Sequence, residues 1–405
     1  MSSTTEDCEQ ELDFIKKIIG AVGPRLPGSQ EERAGAQLIA KELSEITGSA
    51  AITEEFTFAP KASIGFIPVL GFLLIFMATP LYLIGPLIDM FLISFFLFFT
   101  LIQIIRYWAW FDVFFPKSTS QNVYSIVEPR SGTARYTILV AGHIDSSWNC
   151  KNFVNHSRLA RPKLIFGVVC AVILDLLSLV RFIMNPVIFT TSLDLLDLAV
   201  VPLIPGFFFV SQYCEYSKKR ASPGAMDNLT GMAMTRWLAL YCKDNPDLVP
   251  DDCKLVFGGF GSEEAGLKGS HAFVKQHKDD LLAGNCWVIL MDSLCDYDHF
   301  HVVKGDAWLG SNYDPDLVKL ADDAMTSTGI KHDVFKTPEG STDGASFSRA
   351  GIRVVCLAAQ DPGPADNYHT FKDVPERLDK RTLIAIKKIL LKLIDNVVQF
   401  NTTAT

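Results

Sequence analysis

Between Ala62 and Ile105 the chain carries a single charged residue, Asp89, in 44 positions. A run that long and that poor in charge leaves few folds open, because water-facing surface needs polar side chains and one buried helix does not need so much apolar length. Thr79-Pro80 and Gly85-Pro86 divide the run into pieces at about 64–84 and 87–110, each long enough for the ~20 apolar residues that cross a bilayer as helix. Phe95-Phe96 and Phe98-Phe99 spread aromatic bulk around the second piece, which suits lipid better than a packed interior. Arg106, Tyr107, Trp108 and Trp110 then supply the composition of a membrane–water boundary.

A second stretch, 162–216, is less uniform. Residues 164–180 are apolar except for Asp175, and 186–210 contain Asp194, Asp197, Pro202 and Pro205. An ionisable group in mid-bilayer costs a few kcal/mol unless it is paired or faces a cavity, and Asp175 with Arg181 is a candidate pair. The stretch reads as a second spanning hairpin, with an interfacial platform as the alternative.

Removing 62–116 and 162–216 leaves 295 residues that carry 73 of the 82 charges. A quarter charged is the ordinary proportion for a globular domain. That length buries a full core without covalent staples. The nine cysteines are odd in number, form no CxxC pair, and include Cys170 and Cys214 in apolar segments, so reduced thiols in a reducing compartment are expected. A net charge of −8 argues against nucleic acid as a partner. The basic run Lys218-Lys219-Arg220 reads as a membrane flank.

Two hairpins return the chain to the side it left. Lys61, Arg106, Lys117, Arg158, Arg161, Lys163 and the 218–220 cluster flank the segments on that side, against Arg181 alone at the tips. The excess of basic residues marks an integral membrane protein whose soluble portion is cytoplasmic. The acidic first fourteen residues hold no apolar core, so a cleavable signal peptide is not expected. On this topology Asn155-His156-Ser157 and Asn401-Thr402-Thr403 match the glycosylation pattern by chance.

The soluble part alternates helical and strand patterns. Helices are expected at 8–20, 31–47, 231–241, 265–281, 314–328 and 380–400. Strands are expected at 51–58, 122–128, 136–142, 254–260, 286–291 and 352–358. This is the α/β class, a mixed sheet sandwiched by helices, interrupted by two transmembrane α-hairpins. The divisions are 1–61, 117–161 and 217–405 for the soluble domain, with the hairpins at 62–116 and 162–216.

Chemistry-bearing residues fall at strand ends. YTILVAGHIDSS ends a buried strand in His143 and Asp145, which alternation places on one side, so the carboxylate can orient the imidazole. Asp227 sits in PGAMDNLTG before a helix, Glu263-Glu264 follow the strand LVFGGF, Asp292 ends VILMDS, and His369 lies in DNYHTFKD. Each alone has an ordinary reading: a polar pair, a helix-opening charge, a turn residue, a loop histidine. His299 and His301 form a rival metal pair that lacks carboxylates around it.

In order and local context these pieces resemble the co-catalytic zinc peptidases of clan MH, the group that holds aminopeptidases Y and S, glutamate carboxypeptidase and the transferrin receptor. The opening GPRLPGS at 23–29 and the segment GSTDGASFSRAGIRVVCLA at 340–358 are similar as well. The likeness covers nearly all the soluble residues and none of the apolar stretches. His143 and Asp227 stand 84 positions apart because the second stretch intervenes, and Gly344 stands where many members have a histidine.

The resemblance implies two Zn2+, one held by His143 and Asp292, the other by Glu264 and His369, with Asp227 bridging. It also implies a cis Asp227–Asn228 peptide, Asp145 as orienting residue, and Glu263 as the general base that takes a proton from water and returns it to the leaving amine. The expected activity is a membrane-anchored zinc exopeptidase, most simply an aminopeptidase, acting on peptide or amide substrates beside a lipid bilayer. The alternative is an amidohydrolase or carboxypeptidase acting on N-acyl or lipidated substrates. A non-enzymatic scaffold is disfavoured by the intact Glu263, and a one-zinc glutaminyl cyclase by the full five-ligand set.

Overall fold

Nine strands form one mixed sheet in a computed structural model of the chain, which describes residues 4–190, 195–363 and 365–403. Asp194 and the side chains of Asn155 and His156 lie outside the described residues. The strands are β1 (Ile52–Phe58), β2 (Ser118–Val127), β3 (Tyr136–His143), β4 (Cys253–Phe260), β5 (Cys286–Leu294), β6 (Phe300–Asp306), β7 (Ser311–Asn312), β8 (His332–Thr337) and β9 (Arg353–Ala359). Side by side they run β1-β2-β4-β3-β5-β9-β6-β7, with β8 also paired to β6. β4, β3, β5 and β9 are parallel, and β2 and β6 flank them in the opposite sense.

Alternation along the central strands divides two cores. Ile138 and Val140 of β3, Ile289 of β5 and Val355 of β9 join the cluster that contains Ile15, Ile39, Trp237 and Leu390 from helices Glu9–Val22, Gln30–Thr47, Thr230–Asp244 and Lys380–Thr403. Leu139, Val288 and Val354, one position along, join Phe273 of helix Lys268–Ala283 and Phe347 of helix Gly344–Arg349 on the other face. Helices thus cover both sides of the sheet. β6, β7 and β8 are absent from the sequence-based expectation; β8, HDVFKT, is only half buried and carries no apolar run.

Both apolar stretches leave and re-enter the sheet domain at adjoining points. Phe58 at the end of β1 pairs directly with Ser118 at the start of β2, so the first stretch occupies the turn of a β-hairpin. Asn149 pairs with Glu215 in an isolated antiparallel bridge, and Ser222 N–H donates to Ser147 O at 3.0 Å, which closes the second. A long excursion of this kind costs little, since closure entropy grows only with the logarithm of length.

Helices Ile64–Ile84, Pro86–Ile105 and Ser157–Met184 are long and apolar enough to cross a membrane, by length and composition. Helix Leu195–Ser211 is shorter. This arm opens as a 3-10 segment, Leu195–Leu203, with Pro202 inside it, and becomes α only at Ile204, in keeping with the less uniform character of the second stretch. Thr79-Pro80 does not break the first helix, because a π turn at Leu74–Ala78 absorbs the proline; the break comes at Gly85. The Asp175–Arg181 pair is also corrected. Asp175 accepts from Ser94 Oγ at 3.2 Å, whereas Arg181 pairs with Asp197 and donates to Tyr82 O at 2.8 Å.

The bundle has its own interior, including Tyr82, Ile93, Leu174 and Phe207. Its packing is close: a Cβ on Gly71 would lie 2.2 Å from the Ser211 backbone nitrogen, the small-residue contact by which apolar helices approach one another. Outward it presents Phe76, Phe91 and Ile183, each more than 60% exposed.

Candidate active site

Register builds the floor of the site. His143 at the end of β3 lies opposite Phe260 of β4, so the residues just past Phe260, Glu263 and Glu264, emerge beside it. Ala141 lies opposite Leu290 of β5, which brings Asp292 level with His143 two residues on. The C-terminal ends of neighbouring parallel strands thereby gather residues that are far apart in sequence, the position at which open α/β sheets hold ligands.

Asp227 enters from the turn before helix Thr230–Asp244. Its Oδ1 lies 2.9 Å from His143 Nε2 and its Oδ2 3.1 Å from His369 Nε2. Asp292 Oδ1 is 4.0 Å from His143 Nε2, and Glu264 Oε1 is 3.1 Å from His369 Nε2. Two groups result, His143–Asp227–Asp292 and Asp227–Glu264–His369, each able to direct its ligand atoms at one point and both sharing Asp227. All five residues that the sequence nominates as ligands are brought together. The Asp227–Asn228 peptide is cis.

His299 and His301 are not brought together with them. His299 Nδ1 lies 2.7 Å from Asp296 Oδ2 in the turn before β6, while His301 Nε2 donates to Gln360 O at 3.0 Å. β6 begins only at Phe300, so His299 stays in the turn and the two rings share no site.

The donors fit a metal pair. Glu264 Oε1 is buried 3.1 Å from His369 Nε2, and in each group the ligand atoms lie within 4.8 Å of one another. Asp227, Glu264, Asp292 and Asp145 are packed together with little solvent, and buried carboxylates in such number require cations. The titration directions agree. Burial alone would lower the imidazole of His143, but hydrogen bonds with Asp145 and Asp227 outweigh it and hold the ring well above the usual histidine range. Burial, then the charge of Asp227, pushes the Asp292 carboxyl up to about 6. Imidazole nitrogen and carboxylate oxygen are the ligands of zinc at such sites.

Glu263 stands outside both groups but in the same cavity, and burial pushes its carboxyl well above the ordinary range. Asp145 is fully buried and does more than face His143 Nδ1 at 3.4 Å. Its two oxygens accept the backbone N–H groups of Glu263 at 2.9 Å and Glu264 at 3.0 Å. One carboxylate therefore positions a histidine and both glutamates.

Several contributors escape sequence reasoning. Arg25, fully buried, donates Nε to Ile144 O at 2.8 Å and Nη2 to Gly224 O at 3.0 Å, tying β3 to the turn that holds Asp227. Glu32 Oε1 accepts from Ser262 N–H at 2.7 Å, and its Oε2 accepts from Gly28 N–H at 2.6 Å. Asp373 accepts the N–H groups of Met226 at 2.8 Å and Asp227 at 3.2 Å. The GPRLPGS segment contains Arg25, with Glu32 three residues beyond it; a lone aspartate gave no signal for Asp373. Tyr107, assigned from sequence to an interfacial belt with Trp108 and Trp110, lines the site cavity instead. Gly344 is explained by packing: a Cβ there would lie 2.6 Å from the Tyr313 ring.

Comparison with known proteins bears on the fold and the family. The profile of Peptidase family M28 matches residues 211–394. No curated protein sequence matches the chain. Among solved structures, a zinc aminopeptidase from Bacillus subtilis is 15% identical with a TM-score of 0.59, covering 97% of this chain and 95% of that one. An aminopeptidase from Aneurinibacillus sp. strain AM-1 is 14% identical with a TM-score of 0.56, covering 97% and 94%. A glutaminyl cyclase from Fimbriiglobus ruber is 12% identical with a TM-score of 0.56, covering 98% and 97%. The fold is therefore that of the zinc aminopeptidases, and with residues 211–394 similar to Peptidase family M28 and a donor set suited to two zinc ions, the chain is a zinc metallopeptidase.

Proposed function

We propose that the chain is a membrane-anchored aminopeptidase whose domain, residues 1–61, 117–161 and 217–405, is interrupted by hairpins at 62–116 and 162–216. The observation that carries the reading is the pair of ligand groups joined through Asp227. His143 and Asp292 would hold one zinc, Glu264 and His369 the other, with Asp227 between them. Bound there, zinc polarises the scissile carbonyl and lowers the pKa of water. Glu263 receives the proton of the attacking water and hands it to the leaving nitrogen, which breaks the C–N bond. Asp145 keeps Glu263 and Glu264 in register through their backbone N–H groups.

The charge of the cavity favours recognition of an amino end. Its lining holds one side chain with a fixed positive charge, Arg161, and that is spent on Glu339 at 2.8 Å. No free cation remains among the described lining residues to receive a substrate carboxylate, whereas Asp361 is a lining carboxylate suited to an ammonium group. The excess of basic flanks at the base of the hairpins, with the tip residue Arg181 neutralised by Asp197, supports a cytoplasmic domain.

The test is zinc content and two substitutions. Protein purified in detergent is expected to hold about two zinc ions per chain. Glu263→Gln should keep both and lose turnover by ~10²–10⁴-fold or more, while Glu264→Gln should lose zinc. The reverse pattern would exchange the two roles, and a metal-free, chelator-insensitive protein would end the reading.

A further inference from the structure

The site cavity, about 180 Å³, is roofed by the membrane bundle. Ser63, at the entrance of the first hairpin, donates to Ala265 O at 2.6 Å, which fastens that hairpin to the turn bearing Glu263 and Glu264. At its exit Lys268 Nζ meets Asp112 Oδ2 at 3.1 Å, and Arg106 Nη1 donates to Trp308 O at 3.0 Å. The catalytic residues thus lie directly beneath the helices.

A second cavity, about 290 Å³, lies within the bundle between Leu70 and Leu74 of the first helix, Leu97 and Thr100 of the second, and Val168 and Ala171 of the third. Thr100 is its one lining residue with a polar side chain apart from the indole of Trp308, and the Thr100 hydroxyl is turned back onto Phe96 O at 2.8 Å. Ile165 and Val169 form an outer lip and are 55% and 47% exposed, so the groove opens sideways on the face the bundle would turn to lipid. Inward it is continuous with the site: Ile67, Ile104, Leu164 and Trp308 line both cavities. From Ile67 to Leu74 the helix rises ~10 Å, the length of roughly eight single bonds of an extended chain.

We propose that this groove receives the hydrocarbon tail of the substrate, which reaches the site laterally from the bilayer with its scissile amide delivered to the ligand groups at the groove's inner end. A lined, nonpolar passage from lipid to a polar reaction centre has no use for a water-soluble peptide, whereas an amide amphiphile fits both ends. Water supplies the hydroxyl to the acyl carbon and a proton to the departing nitrogen, and the C–N bond breaks. The inference rests on the peptidase reading above and names its substrate class. On that reading the substrate is an aminoacyl group amide-linked to an alkyl chain; an N-acyl amino acid, which has a carboxylate and no free amine, is the competing arm of the test.

The experiment uses the full zinc-loaded chain in lipid nanodiscs. Leucine alkylamides with tails of two, eight and twelve carbons form one arm and N-acyl leucines of the same lengths the other. The expected result is a kcat/KM at least roughly tenfold higher for twelve carbons than for two in the alkylamide arm; a preference confined to the N-acyl leucines would overturn the amino-end substrate while keeping the groove. Thr100→Phe and, from the opposite wall, Val168→Trp should remove the preference while leaving the two-carbon substrate unchanged. A twelve-carbon analogue with a diazirine in its tail should crosslink to residues 164–171 in the parent and not in a folded variant; this readout needs no turnover. Hydrolysis independent of tail length, or variants that slow both lengths alike, would overturn the groove and leave the peptidase standing. No hydrolysis of any amide would overturn both.

Discussion

Asp145→Asn separates positioning from ligation. The carboxylate accepts the N–H groups of Glu263 and Glu264 with one oxygen each, at 2.9 and 3.0 Å, and it is fully buried. An asparagine can satisfy only one of them and turns its NH2 toward the other. One buried backbone donor then lacks an acceptor, which costs ~1–3 kcal/mol, or a Tm lower by about 2–6 °C at roughly 2 °C per kcal/mol for a domain of this size. The larger consequence falls on the site. With the charge facing His143 Nδ1 gone and the 263–264 turn loosened, zinc affinity or activity should fall by ~10–100-fold. Competition against a graded chelator series measures affinity, and turnover at saturating zinc reports the Glu263 placement separately. Zinc affinity and saturated turnover both equal to the parent would refute the idea that Asp145 sets the geometry. Complete loss of one zinc at any concentration would make it a ligand instead.

Gly344→Ala should lower Tm, since the new Cβ would meet the buried Tyr313 ring at 2.6 Å and overpacking costs ~1–3 kcal/mol; an unchanged Tm would remove the packing account of this glycine. For orientation, Phe189→Cys at a hairpin tip, 65% exposed, and the exposed Lys278→Cys supply accessible thiols, which the buried native Cys253 and Cys356 do not. An impermeant maleimide added to intact cells should label the first and not the second; the opposite pattern would place the peptidase domain outside.

Much of this protein is written locally. The apolar stretch from Ala62, the 3–4 spacing in 380–400 and the buried run before His143 each declare their structure, because burial and periodicity act over a few neighbouring residues. The five ligand candidates could be nominated because each ends a strand or sits in a turn, and their order resembles a known family. Their geometry could not. It depends on β4, β3 and β5 lying side by side in a given register, which sets His143 beside Glu263, Glu264 and Asp292, and strand order is a long-range choice that no local window holds. For the same reason Arg25 gave no sign that it would bond Ile144 and Gly224, 119 and 199 positions away. Nor did Tyr107 show that it would turn from the membrane boundary into the site. The apolar stretches make the contrast plainest: sequence determines that they are too apolar for an ordinary water-facing surface, while only the folded chain decides that they return to paired positions, Phe58 with Ser118 and Asn149 with Glu215, and so close over the candidate site.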